Sequence, residues 1–178
     1  MRNAKCEVRS DSLGSCPKRT LRISHFVLRT LVLALLACNP ASTRPAFLPY
    51  PQALTSIVNA PTDQVVPELD AWLNGEGLRV EWTSPQDGYV ETAWFNTSTR
   101  QSVTGTSDPG DLLATIKIRC WVDPYTPGKS QLTVEAVYRP ILDPSRMERD
   151  LEVIVPEASA GYELAHRLLE AMQKKLGT

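Results

Sequence analysis

Apolar and polar positions alternate with period two over several stretches of this chain. In Leu78–Thr83, Leu78, Val80 and Trp82 share one side while Arg79 and Glu81 share the other, as in a half-buried strand. Pro85-Gln86-Asp87-Gly88 supplies a turn, and Gly88–Asn96 (GYVETAWFN) reads as the partner strand of a hairpin. Leu113–Val122 alternates cleanly. Ala114, Ile116, Ile118, Cys120 and Val122 are assigned inward, and Thr115, Lys117, Arg119 and Trp121 outward. Leu132–Arg139 repeats the pattern, with Leu132, Val134, Ala136 and Tyr138 against Thr133, Glu135 and Arg139. Ala53–Asn59 and Leu151–Val155 read as shorter strands, and polar Thr97–Gly110 as a loop or a long hairpin connection.

Two segments switch to helical spacing. Val66, Leu69, Trp72 and Leu73 recur on one face after Thr62 or Asp63 as N-cap, with Pro67 in the first turn and Asn74-Gly75 as the stop. Tyr162, Ala165, Leu168, Leu169, Met172 and Leu176 form an apolar stripe over Ala160–Leu176, with Ser159 as N-cap and Lys174 and Lys175 near the C-terminus. The expected class is α+β: an antiparallel sheet of four to five strands with two helices packed on one face and the other face wet. One domain over 53–178 accommodates all of it.

The N-terminal part follows a different logic. Seven basic residues against two acidic ones give a net charge of +5 before Cys38, whereas twelve basic against eighteen acidic give −6 from Cys38 onward. The apolar run Leu31–Ala37 is far shorter than the roughly 20 residues of a spanning helix. A basic head before such a run is the layout of an export signal, so residues 1–37 read as a signal peptide. Its head is long enough that initiation nearer Arg22 to Leu28 is an alternative. Leu35-Leu36-Ala37-Cys38 resembles the bacterial lipobox. That resemblance implies cleavage after Ala37, diacylation of the Cys38 sulfur and often acylation of the new amino group, with fatty chains of the palmitate kind. The alternative is an ordinary cleaved signal peptide. Asn39 stands where an Asp would favour inner-membrane retention, which points to the outer membrane, the chain facing the periplasm. Pro40, Pro45, Pro49 and Pro51 make 38–52 an extended tether that could hold the domain about 40 Å from the bilayer.

Candidate chemistry after Cys38 is sparse. His166 lies beside a helical apolar stripe and reads as a boundary residue rather than a base. No H-E-x-x-H, C-x-x-C, G-x-S-x-G or Gly-rich phosphate loop occurs, so no catalytic residue, metal site or cofactor is expected. Asp108-Pro109, Asp123-Pro124 and Asp143-Pro144 read as turn starters before an acidic constellation. Cys120 reads as a buried free thiol, with a nucleophile or an intermolecular disulfide as alternatives. The net charge of −6 disfavours nucleic acid.

Glu81, Glu91, Lys117, Arg119, Glu135 and Arg139 read as cross-strand pairs on the wet face. Trp94, Phe95 and Trp121 are candidates for a partner-binding patch there, unless a loop or the tether covers them. In Arg139–Arg149 (RPILDPSRMER), Arg139 and Arg146 are candidates for an acidic partner or headgroup, against a solvated loop with internal ion pairs.

Finally, Val66, Leu69 and Leu73 of the first helix, Gly77-Leu78-Arg79-Val80, a turn, and Asp87-Gly88-Tyr89-Val90-Glu91-Thr92-Ala93-Trp94 resemble the repeated module of BamC-type lipoproteins. Those are accessory lipoproteins of outer-membrane barrel assembly with two helix-grip domains, where this chain has room for one. The resemblance implies a helix-grip fold and an envelope protein as partner. The expected function is therefore a non-enzymatic, lipid-anchored envelope protein that binds or helps assemble another envelope protein. The alternative is a periplasmic small-ligand or lipid-binding domain, with a cavity of about 300 Å³ or more between the sheet and the last helix.

Overall fold

The computed structural model describes residues 44–103 and 112–177. The segment 1–37 expected as a signal peptide, Cys38, Asp108 and Pro109 lie outside the described residues. The elements run β1 (Leu54–Val58), α1 (Thr62–Gly75), β2 (Val80–Ser84), β3 (Tyr89–Thr92), β4 (Phe95–Asn96) and β5 (Gln101–Ser102). There follow β6 (Thr115–Thr126), β7 (Lys129–Tyr138), α2 (Glu148–Leu151), β8 (Val153–Ile154) and α3 (Ala160–Leu176). The fold is α+β. Five strands form one antiparallel path, β1-β7-β6-β3-β2, and the short β4, β5 and β8 extend its margins.

Alternation places the core as expected on one face. Ile116, Ile118, Cys120 and Val122 of β6 lie beside Leu132, Val134 and Ala136 of β7, and all are buried. Helices α1 and α3 close over them with Val65, Val66, Leu69 and Leu73, and with Leu164, Ala165, Leu168, Leu169 and Met172. The α3 N-cap is Ser159, whose Oγ accepts from the Tyr162 amide at 3.2 Å. At α1 the expected Thr62 or Asp63 cap is absent: Pro61 occupies the N-cap position with no side-chain bond, its fixed φ of −71° leading the chain into the helix.

Two backbone features redirect side chains. A bulge in β2 between Val80 and Trp82 shifts the register by one, so Trp82 pairs with Glu91 and leaves the face of Leu78 and Val80. Trp82 is consequently 49% exposed, not inward. The second feature is Gly88, at φ +64°, where an added Cβ would stand 2.1 Å from the Val122 carbonyl oxygen. Only glycine lets the β2–β3 turn close onto β6, where the Val122 amide donates to the Gly88 carbonyl at 2.7 Å. The expected strand 88–96 is broken into β3 and β4, and of the expected strand 151–155 only the two residues of β8 pair, Leu151 being the last residue of α2.

The largest departure concerns the other face of the sheet, which is not wet. Lys117, Arg119 and Trp121 of β6 and Thr133, Glu135 and Val137 of β7 are all buried. Their cover comes from two segments. Residues 44–52 lie against this face as part of the compact unit, ahead of the boundary expected at Ala53. The segment 139–155 closes the remainder, with β8 pairing to the end of β7.

Candidate functional site

The covered face is built around Arg119, in the middle of β6. Its Nη1 and Nη2 donate to Glu152 Oε2 and Oε1 at 2.6 and 2.7 Å, a two-pronged pair that fixes the guanidinium plane. Nε donates to Glu91 Oε2 at 3.0 Å, and Nη1 also reaches Glu135 Oε1 at 3.4 Å. Arg149 bridges the same carboxylates, at 3.0 Å from Glu135 and 3.2 Å from Glu152. Lys117 donates to Glu91 at 2.9 Å, and the Tyr89 hydroxyl completes the Glu91 shell. The cross-strand pairs read from the sequence are present for Glu91, Lys117, Arg119 and Glu135, but they are buried and not solvated.

The electrostatics follow from this saturation. Burial raises the Glu91 carboxyl, yet the Arg119 and Lys117 charges, with hydrogen bonds from Tyr89 and Lys117, hold it below its ordinary value. Burial works against the Arg119 charge, but the Glu152 and Glu91 carboxylates outweigh it and hold the guanidinium above its ordinary value. Burial and the bond to Glu91 push the Tyr89 phenol up. Every carboxylate here faces a cation, an arrangement that suits a fixed structural cluster better than proton transfer. Across the sheet, burial first and Glu135 second push the Cys120 thiol up, so it is buried and free, as read. His166 is exposed on α3, stacked on Tyr162 with Nδ1 3.6 Å from Glu170. Among the described residues, no group of three or more His, Cys, Asp or Glu is placed to hold a metal ion. No described helix is long and apolar enough to cross a membrane.

The cover over the cluster is aromatic and polar together. The Phe47 ring lies under the Arg149 and Arg119 guanidinium carbons at 4.3 and 5.1 Å, and edge-on to Trp121 at 6.3 Å. The Tyr50 amide donates to Glu135 at 3.0 Å, and the Tyr50 hydroxyl to the Glu152 carbonyl at 2.9 Å. Arg149 donates to the Leu48 carbonyl, and Arg44 to Asp123 at 2.6 Å. This answers the alternative posed for the outward aromatics. Trp121 is fully buried beneath Phe47 and against Tyr89, and its Nε1 finds no hydrogen-bond partner among the described residues. Phe95 points to the core face and is buried with it. Neither is part of an exposed patch.

Trp94 has a different setting. It keeps 9% exposure, with Arg139 over its ring at 4.3 Å, Lys117 at 5.1 Å, and its Nε1 donating to Glu148 at 2.5 Å. Arg139 leads from Trp94 into a cleft of about 380 Å³ lined by Leu142, Asp143, Pro144, Arg146, Glu148 and Leu151. Asp143 starts the turn there as expected: it accepts from the Ser145 amide and hydroxyl at 3.0 and 2.6 Å, bonds that hold its carboxyl below the usual range. Leu142 of this lining is exposed, as are Ile141 before it in the chain and Met147 between Arg146 and Glu148. Of the sequence candidates, the structure thus brings Trp94, Arg139 and Arg146 together and separates Phe95 and Trp121 from them. The exposed Ile141, Leu142 and Met147, and the exposed Trp82, were missed. Ile141, Leu142 and Met147 sit in a stretch without periodicity, and their clustering beside two arginines was the one available signal.

Between the sheet and α3 the space is filled by Ile116, Ile118, Leu132, Leu168 and Met172, each at most 1% exposed. The cleft at the start of α3, lined by Phe95, Leu164 and Arg167 among others, measures about 150 Å³, half of what an enclosed small-ligand site needs. The chain matches no family model, and no curated protein matches it significantly.

Proposed function

We propose that this chain is a non-enzymatic, lipid-anchored envelope protein that binds or helps assemble another envelope protein. The observation that carries the reading is the convergence of Arg139, Arg146 and the exposed Leu142 on one cleft beside Trp94, with exposed Ile141 and Met147 next to its lining residues in the chain. Arginine and aromatic anchors with exposed apolar neighbours are the composition of a protein-binding hot spot. The lipobox at Cys38 and the BamC-like stretch from Val66 to Trp94 support an envelope setting, with acylated Cys38 as the membrane anchor and the outer membrane as the site.

The test is a crosslinked pull-down of the full-length protein from detergent-solubilised membranes. A photo-crosslinking residue at position 147 is expected to capture one defined envelope protein, and R139A with R146A to reduce that capture severalfold. Capture that is equal from position 147 and from Gln86, on the remote β2–β3 turn, would overturn the cleft as the binding surface. Cys38→Ser is expected to release the protein from membranes, and its retention through high salt would overturn the anchor.

A further inference from the structure

The segment expected to act as a spacer is consumed by packing. With Arg44 held on Asp123 and the Asp87 carbonyl, and Tyr50 held on Glu135 and Glu152, the stretch 44–52 contributes no reach. Six residue steps remain between Cys38 and Arg44, which fully extended span at most about 20 Å. The end of the domain that carries Arg44 is therefore the end that an acylated Cys38 can bring to the bilayer.

That end has a definite composition. Asp123 is at the base of the β6–β7 hairpin, whose tip projects Tyr125 at 55% exposure. Pro61, Pro124, Tyr125, Pro127 and Lys129 line a recess of about 390 Å³ there. A tyrosine among prolines with a lysine beside it suits the headgroup region, where an amphipathic ring and a cation are both accommodated. We infer that docking of residues 44–52 holds the β6–β7 hairpin against the lipid surface, with Tyr125 and Lys129 meeting the headgroups. The inference rests on the acylation of Cys38 proposed above. It also orients the partner cleft: Arg139 follows Tyr138, which pairs with Ile116 at the other end of β6, about 35 Å from the hairpin tip. The cleft then faces away from the membrane.

The mature lipidated protein, in vesicles of phosphatidylethanolamine and phosphatidylglycerol carrying a headgroup quencher, gives the test. One variant carries a fluorophore at Thr126→Cys, on the hairpin, and another at Glu163→Cys, in the first turn of α3 beside Ile116. The buried Cys120 thiol does not compete for label. Quenching severalfold stronger at 126 than at 163 is expected. An insert of about twenty Gly/Ser residues before Arg44, adding roughly 25 Å of root-mean-square length, should remove the difference. Equal quenching in the uninserted protein, or stronger quenching at 163, overturns the apposition while leaving the anchor standing. An intact mass without acyl chains overturns the anchor and the apposition together.

Discussion

The two faces of the sheet solve burial in opposite ways. On the helix side, apolar residues from β6, β7, α1 and α3 fill the space, and no polar pairing is required beyond a few bonds such as Thr92 Oγ1 accepting from the Ile118 amide at 3.0 Å. On the other side, a charged cluster is largely withdrawn from water, and its stability depends on its members keeping their partners. The first face tolerates loss of volume in proportion to what is lost. The second responds to loss of one member by leaving the remaining buried charges under-compensated, a loss that filling the volume alone does not repair.

The sharpest way to break this comparison is Arg119→Ala. It leaves Glu152, Glu91 and Glu135 to Arg149 and Lys117 alone, and should lower unfolding free energy by about 3–5 kcal/mol, measured by urea denaturation. Leu168→Ala on the helix face should cost a similar 2–5 kcal/mol or so through a cavity. The two differ in repair: a methionine at 168 should recover most of the loss, whereas lysine at 119, lacking the fork that holds Glu152, should not. Equal recovery at both sites would mean that the charged face behaves as ordinary core.

Phe47→Ala tests the cover itself. Loss of the edge contact with Trp121 and of the contacts with Arg119 and Arg149 should cost about 1–2 kcal/mol. It should also admit quenchers to Trp121, read by its fluorescence.

Acid should act on the charged face first. Because Glu91 has its folded value lowered, its contribution is fully present above its unfolded value of 4.5 and disappears as the pH falls through the folded one. Stability should therefore drop on acidification below about pH 4.5, and Glu91→Gln should flatten that dependence in denaturation series across pH. The smallest effect is expected at Arg167→Ala, whose pairing with Glu76 is solvent-exposed. The change should stay under about 1 kcal/mol and vanish in high salt.

The helix side of the fold was legible because its information is local: alternation in Leu113–Val122 and Leu132–Arg139 and the stripe of α3 each specify one buried face. The covered side was not, because its partners are distant in the chain. Tyr50 meets Glu152 and Leu48 meets Arg149 across about a hundred residues, and no periodicity records such pairings. Four prolines made 38–52 resemble a linker, although Phe47, Leu48 and Tyr50 are unusual company for one. At the candidate cleft, Arg139 and Arg146 were legible from charge; on β2, away from it, Trp82 was misplaced because a single-residue bulge inverts the side of everything after it.

The order of events in folding follows from where residues 44–52 find their partners. Residues 44–52 precede the rest of the domain in the chain, yet Glu135, Arg149 and Glu152, which they dock against, lie some 85 to 100 residues further on. The first segment of the domain is thus among the last to settle. Until it does, Tyr89, Trp121 and a partly assembled set of charges stand open, a transient sticky surface of the sort that chaperones engage.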